Sequence, residues 1–349
     1  MPNVGNLLGH SHTRLQRQAS SALVSTSYVG VEVELEEVGN ANWELDYWNV
    51  ERDGSLRRNG LEFNFREPLF GVDIIAALDE LERGMAMYGE RFPLGTVIDD
   101  NTSVHVHVDC RDLDTEQLHN FILTAILFEQ VLFKYAAPER ENNIFCLPLT
   151  RAEDELSVAG RIAGTLTENS SDGLRMYSSE AAKYSSINLS ALHEFGSIEF
   201  RAHKGEWRKD PLLRWTNILL RLKESAKESI ITKDTYYNAV FNTHPRSLLN
   251  NVFGEELASH LYNTDIDRQL TTGAKLINEI LEMATRSIDS FTTIEEGSLL
   301  SKYLETTGTD ISSTRSADTA VSDFLRFMSD QRERENMSAG RAYQLRRAT

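Results

Sequence analysis

Four short stretches of the chain alternate apolar residues with polar or ionisable ones: Gly30-Val-Glu-Val-Glu-Leu-Glu36, Gly60-Leu-Glu-Phe-Asn-Phe-Arg66, Ser103-Val-His-Val-His-Val-Asp109 and Ser197-Ile-Glu-Phe-Arg-Ala-His203. A period of two is that of a half-buried β-strand. If the four pair in one sheet, Val31, Val33, Phe63, Phe65, Val104, Val106, Ile198 and Phe200 cover the core. Glu32, Glu34, Glu62, His105, His107, Glu199 and Arg201 then line the opposite face.

Between these stretches the pattern changes to helical spacing. Asp53-Gly-Ser-Leu56 is a turn signal before the second strand, and Ile74, Leu78, Leu81 and Met85 predict a helix over 72–88. Asp114-Thr-Glu-Gln117 has the form of a capping box, opening a helix that runs to about residue 136 and stops at Pro138. Its stretch 121–137 is the closest approach to a membrane span, but Glu129, Gln130 and Lys134 mark it as a buried core helix. Residues 151–165 read as a helix, 167–173 as a polar loop, and 183–189 with 197–203 as a hairpin joined through 192–196. Asp210-Pro211 supplies an N-cap and first-turn proline for a helix carrying Leu212, Trp215, Leu219 and Leu222. The order predicts an α+β fold around a mainly antiparallel sheet with flanking helices.

The chain divides on this reading into a small, polar, flexible arm (1–26), a catalytic domain (27–231), a helical support region (232–305) and a final linker, helix and basic tail (306–349). Helical patterns occupy 273–291 and 317–334, 306–316 is rich in Ser and Thr, and Arg341, Arg346 and Arg347 make the tail basic. His10-Ser-His12 in the arm is an incidental pair.

Composition narrows the chemistry. A hydrophobic share of 40% and a charged share of 26% are those of a soluble globular protein with no membrane span. A net charge of -17 argues against a surface built to neutralise nucleic-acid phosphates. Cys110 and Cys146 form no disulfide framework, and without a signal-peptide pattern the expected compartment is the cytoplasm. Cys146 has no histidine or basic neighbour in sequence and reads as a buried structural cysteine.

The polar face is where the chain departs from an ordinary amphipathic sheet. Glu32 and Glu34 project from one face about 6–7 Å apart along the strand, and adding Glu62 and Glu199 concentrates charge that repels itself unless cations bind. Carboxylates are hard ligands suited to Mg²⁺ or Mn²⁺, and an imidazole among them favours Mn²⁺. Arg201, two residues beyond Glu199, is a guanidinium placed to stabilise a transferring phosphoryl group. Neither a Gly-x-x-x-x-Gly-Lys loop nor a Gly-x-Gly-x-x-Gly turn is present, so nucleotide binding falls to the sheet face and its metals.

In sequence order, Gly30-Val-Glu32-Val-Glu34, Asp53-Gly-Ser55, Gly60-Leu-Glu62, Ser103-Val-His105-Val-His107, Lys183-Tyr184 with Asn188-Leu189, and Glu199-Phe-Arg201 resemble the motifs of the amidoligase family. That family belongs to the glutamine synthetase-like carboxylate-amine ligases, related to glutamate-cysteine ligase, and the resemblance covers about 28–222. It implies a curved, mainly antiparallel sheet binding ATP and Mg²⁺ or Mn²⁺ on its concave face. It further implies metal ligation by Glu32, Glu34, Glu62, Glu199 and His105, with Asp53 near the metals and His107 a weaker candidate. Arg201, Glu199 and His105 would act in catalysis, with Arg201, Lys183 and Arg140 contacting nucleotide or substrate. Lys183 stands where the family often has arginine, which keeps the charge but loses the bidentate fork. The implied reaction joins a carboxylate and an amine, of small molecules or peptides, through an acyl phosphate. Oligomeric state and substrate identity are left open.

Two other readings compete. His105, His107 and Asp109 could centre a metal-dependent hydrolase or oxygenase, although no His-Glu-x-x-His segment supplies further ligands. A ligase fold kept as a scaffold is the other, and the complete set of Glu and Arg residues argues against it.

Overall fold

The computed structural model describes residues 3–10, 18–92, 94, 97–99, 101–143, 146–149, 162, 174, 184–284, 298–299, 301–302 and 306. Most of the expected helix at 151–165, the loop at 167–173, Lys183, the helix at 317–334 and the basic tail lie outside the described residues.

The alternating stretches form strands β1 (Val29–Leu35), β3 (Leu61–Phe65), β4 (Ser103–Asp109) and β6 (Ser197–Lys204), joined by β2 (Trp48–Glu51) and β5 (Ile187–Asn188). All six make one antiparallel sheet in the order β2-β3-β1-β4-β6-β5. The eight apolar residues expected on the core face are all buried. Strand β2 falls in a stretch rich in Asn, Asp and Trp; its Trp48 is buried and donates from Nε1 to the Ala77 carbonyl at 2.9 Å.

Helices α2 (Val72–Arg91), α3 (Thr115–Ala136) and α5 (Lys209–Lys227) cover the apolar face, and a short α4 (Ala191–Phe195) interrupts the β5–β6 hairpin. The capping box of α3 is formed in both directions, Gln117 N–H to Asp114 Oδ1 at 2.8 Å and Asp114 N–H to Gln117 Oε1 at 3.1 Å. The buried acid of α3, Glu129, accepts from the Leu149 N–H at 2.7 Å and from the Ser186 hydroxyl. A polar residue inside an apolar helix is thus tied to two other segments rather than exposed to lipid. No helix among the described residues is long and apolar enough to cross a membrane.

Helices α6 (Tyr236–Phe241), α7 (Pro245–Leu261) and α8 (Ile266–Ala284) share the same apolar core. Gly273 of α8 lies against α3 so closely that a Cβ would stand 2.4 Å from the Leu127 carbonyl oxygen. Within the stretch expected as a flexible arm, residues 3–10 contain a short helix α1 (Val4–Leu8). Backbone bonds from Val4 to Leu113 and from Gly5 to Arg111, at 2.8 and 3.0 Å, hold it, and Val4 is buried. The small residues that suggested mobility instead allow this close docking.

One irregularity matters for the site. Val106 pairs with Phe200 and Val104 with His203, so β6 carries an extra residue there, a β-bulge. Strict alternation from Arg201 would send His203 to the polar face; the bulge turns it inward, 5.3 Å from the Trp215 ring. Burial there lowers the His203 pKa to about 4, which keeps the ring neutral.

Phe200, 1% exposed and 6.0 Å from the Phe121 ring, anchors β6 to α3. Phe200→Ala is expected to cost about 3–5 kcal/mol of stability, measured by urea unfolding. A loss below about 1 kcal/mol would mean that β6 is not held through this contact.

Candidate metal and phosphate site

The register lays the ionisable residues side by side. Glu32 stands opposite His105, Gly30 opposite His107, Glu34 opposite Glu62, and His107 opposite Glu199. Paired residues of an antiparallel ladder share a face, so these side chains converge. Glu32, His107 and Glu199 each offer a ligand atom within 4.8 Å of the others, a set able to hold a metal ion.

The ring of His105 links this set. Its Nδ1 lies 2.9 Å from Glu32 Oε2 and 3.5 Å from Glu199 Oε1, and its Nε2 lies 2.8 Å from Ser103 Oγ. The Ser103 hydroxyl gives its one proton to Glu34, so its oxygen accepts from His105 Nε2–H. His107 completes the cluster with Nε2 at 3.3 Å from Glu32 Oε1 and Nδ1 at 3.1 Å from Ser197 Oγ.

Arg201 extends from the bulged part of β6 over the same face. Its Nη1 donates to Glu199 Oε1 at 2.5 Å, while Asn188 on β5 donates to Glu199 Oε2 at 2.6 Å. Its Nε is buried without a hydrogen-bond partner among the described residues.

Each carboxylate answers burial differently. Burial opposes ionisation of Glu32, but hydrogen bonds and charge from His105 and His107 outweigh it and hold this carboxyl well below the usual range. Glu199 is also lowered, because His105, Arg201 and His107 overcome the burial penalty. Burial lowers the His107 pKa as well, yet its bond to Glu32 and the charge of Glu199 leave it raised. Glu62 has no such cations: burial, then the charges of Glu32 and Glu34, raise its pKa to about 7.

The remaining expected residues fall around this centre. Asp53 closes its own turn by accepting from the Ser55 N–H at 2.7 Å, and its charge reaches Glu62. Arg140 is buried after α3 and donates from Nη1 to the Thr102 carbonyl at 2.7 Å, beside the start of β4. Lys183 lies outside the described residues. Asp109, third in His-x-His-x-Asp, is engaged by Arg111 at 2.7 Å rather than by a histidine. Cys146 is buried with its pKa pushed up to about 12 by desolvation, which suits a structural thiol. Sequence reasoning gave no role to Ser103 and Asn188, although both stand in the quoted motifs, nor to Ser197. Ser103 was legible, since it precedes His105 by the period of a strand; Asn188 required the hairpin register.

A sheet face that gathers carboxylates, imidazoles and a guanidinium defines a cluster suited to a cation and an anionic ligand together. The chain matches the model of the family described as "Putative amidoligase enzyme" over residues 13–222, more than half its length, and belongs to that family. That name makes it a member of a family of amide-forming ligases. The match ends where the resemblance in the motifs ends but begins earlier, within the N-terminal arm. No curated protein matches the chain.

The raised Glu62 pKa gives a stability signature. The folded state holds a proton on Glu62 that the unfolded chain releases near the ordinary carboxyl value of 4.5, so stability falls as pH rises from there toward about 7. In protein stripped of metal, Glu62→Gln is expected to raise the melting temperature at pH 8 relative to wild type and to leave it unchanged at pH 4. Equal effects at both pH values would show that Glu62 does not feel Glu32 and Glu34.

Proposed function

We propose that this protein is an ATP-dependent carboxylate-amine ligase of glutamine synthetase-like type, working in the cytoplasm and forming an amide through an acyl phosphate. The observation that carries this reading is Arg201, bound to Glu199 through Nη1 with its Nε left for an anion, beside the Glu32, His107 and Glu199 group. Two carboxylates and one imidazole fit Mg²⁺ or Mn²⁺, and Asn64 Oδ1, buried without a partner among the described residues and opposite Glu32, adds a further hard donor. Glu34 and Glu62 supply more carboxylate, with Asp53 at the periphery. A divalent ion held there would neutralise the polyphosphate of ATP and polarise its terminal phosphoryl group.

The chain's own residues then have distinct tasks. Arg201 stabilises charge on the phosphoryl group as a substrate carboxylate oxygen attacks phosphorus and ADP leaves. His105 keeps Glu32 and Glu34 in place through Nδ1 and Ser103. Asn188 fixes the orientation of Glu199, and so of Arg201. The amine attacks the acyl carbon, phosphate departs, and a carboxylate of this face accepts the amine proton.

The direct test is an ¹⁸O-labelled carboxylate supplied with ATP, Mg²⁺ and amines. One label in the released phosphate is the expected result, because the acyl oxygen leaves with phosphorus. Amide-free ATP turnover, or no turnover with any acid and amine mixture, would sink the reading. Arg201→Ala should lower ligation by about 10²–10³-fold while leaving the circular dichroism spectrum and urea midpoint near wild type. Unfolding instead would make Arg201 a structural ion pair.

A further inference from the structure

At the end of the polar face away from Glu34 and Glu62, a cavity of about 210 Å³ opens directly onto Glu32 and His107. Its walls are largely apolar, with Tyr28, Pro68 and Phe195, and its charged lining is Arg66, Glu67 and the Asp109–Arg111 pair. Phe195 is 54% exposed, unusual for so large an apolar side chain, and its ring meets His107 edge-on at 5.5 Å and 88°. It is held there by the end of α4, where Gly196 takes a left-handed φ of 72° and a Cβ would stand 2.5 Å from Arg111 Cγ. Arg66 donates to the Leu45 carbonyl at 2.8 Å and has no carboxylate partner among the described residues.

We infer that this cavity is the acid subsite, and that it takes a small carboxylic acid with an apolar, ring-bearing body. The inference rests on the ligase reading above. Its floor is the metal-ligating set, so a ligand seated there presents one end to Glu32 and His107 and packs its body between Phe195 and Pro68. Arg66, with no carboxylate partner among the described residues, offers a cation to an anion at this end of the cavity, and a cation on the metal set would offer another. The volume suits a single ring rather than a nucleoside with its phosphates.

The opposite end of the face has what a polyphosphate needs. The β2–β3 connection carries Arg52 and Arg57 beyond Glu51 and Glu62, together with Arg58, whose guanidinium is paired with Glu37 at 3.4 Å, and Arg58 and Asn59 are held at φ of 50° and 60°. Backbone strain of this kind concentrates where a loop is fixed for a ligand. The buried Glu36 fixes it by accepting the Arg57 N–H at 2.9 Å. With phosphates under this loop, the terminal phosphoryl group reaches the metal set from one side and the acid from the other.

The test uses the full chain, calorimetry and phenylacetate against acetate, with Mg²⁺ and ADP present. Phenylacetate is expected to bind more tightly than acetate, and Phe195→Ala to weaken phenylacetate roughly tenfold while ADP affinity stays within about twofold. In Mn²⁺-loaded protein, the methylene protons of phenylacetate should broaden more than its para proton. Phenylacetate binding no tighter than acetate would overturn the assignment, and so would Phe195→Ala weakening ADP instead, which would make the cavity a base pocket. Failure of wild type to bind Mg²⁺ and ADP would count against the ligase reading alone, since the Mn²⁺ broadening tests the cavity without nucleotide.

Discussion

Everything at this site depends on the antiparallel register of β1 against β4. It puts Glu32 opposite His105 and leaves Val31 and Val33 against Val106 and Val104 on the other side. A slip of one residue would bury the acids and expose the valines, so the apolar core fixes the charged face as firmly as it fixes itself. The cost of gathering carboxylates is met by burial elsewhere: Val31, Val33, Val104 and Val106 are all at most 2% exposed.

The same face sorts its carboxylates by neighbour. Glu32 and Glu199 have imidazoles and a guanidinium and stay ionised, while Glu34 has the Ser103 hydroxyl. Glu62 sits across from Glu34 on β3, with none of these cations bonded to it, and keeps its proton to about neutrality. Charge compensation is therefore strong on the β4–β6 side and weak toward β3. A divalent cation relieves most repulsion where compensation is weakest, which is the argument for including Glu34 and Glu62 in the proposed cation site although neither belongs to the tightest group of ligand atoms.

The core strands and their polar residues were legible because alternation is a local property: each of β1, β3, β4 and β6 declares both faces within five to eight residues. The capping box of α3 was legible for the same reason. Strand β2 was not, because four residues at a sheet edge, among Asn, Asp and Trp, give too short a period. Helix α4 and the position of Phe195 were hidden by the expectation of a simple hairpin, and a five-residue helix leaves no periodic trace. The docking of α1 depends on backbone bonds to residues 111 and 113, distant in sequence, which no local pattern encodes.

The β6 bulge shows how one extra residue changes the chemistry of a face without changing its strands. Continued pairing from Val106 and Phe200 would bring His203 opposite Ser103, a neighbour of Glu34. With the bulge, Lys204 takes that position, while Ala202 stays on the core side with Cys146 and Phe133. A histidine there would compete with His105 for Ser103 and add a second imidazole to a carboxylate end suited to Mg²⁺. A lysine instead is a long, exposed cation with no ion-pair partner among the described residues. It stands at the end where Arg52, Arg57 and Arg58 lie and where the proposed polyphosphate would end its run along the sheet. The bulge therefore leaves Arg201 beside Glu199, where alternation puts it, and exchanges an imidazole for a cation at the end of the face where the proposed polyphosphate would lie.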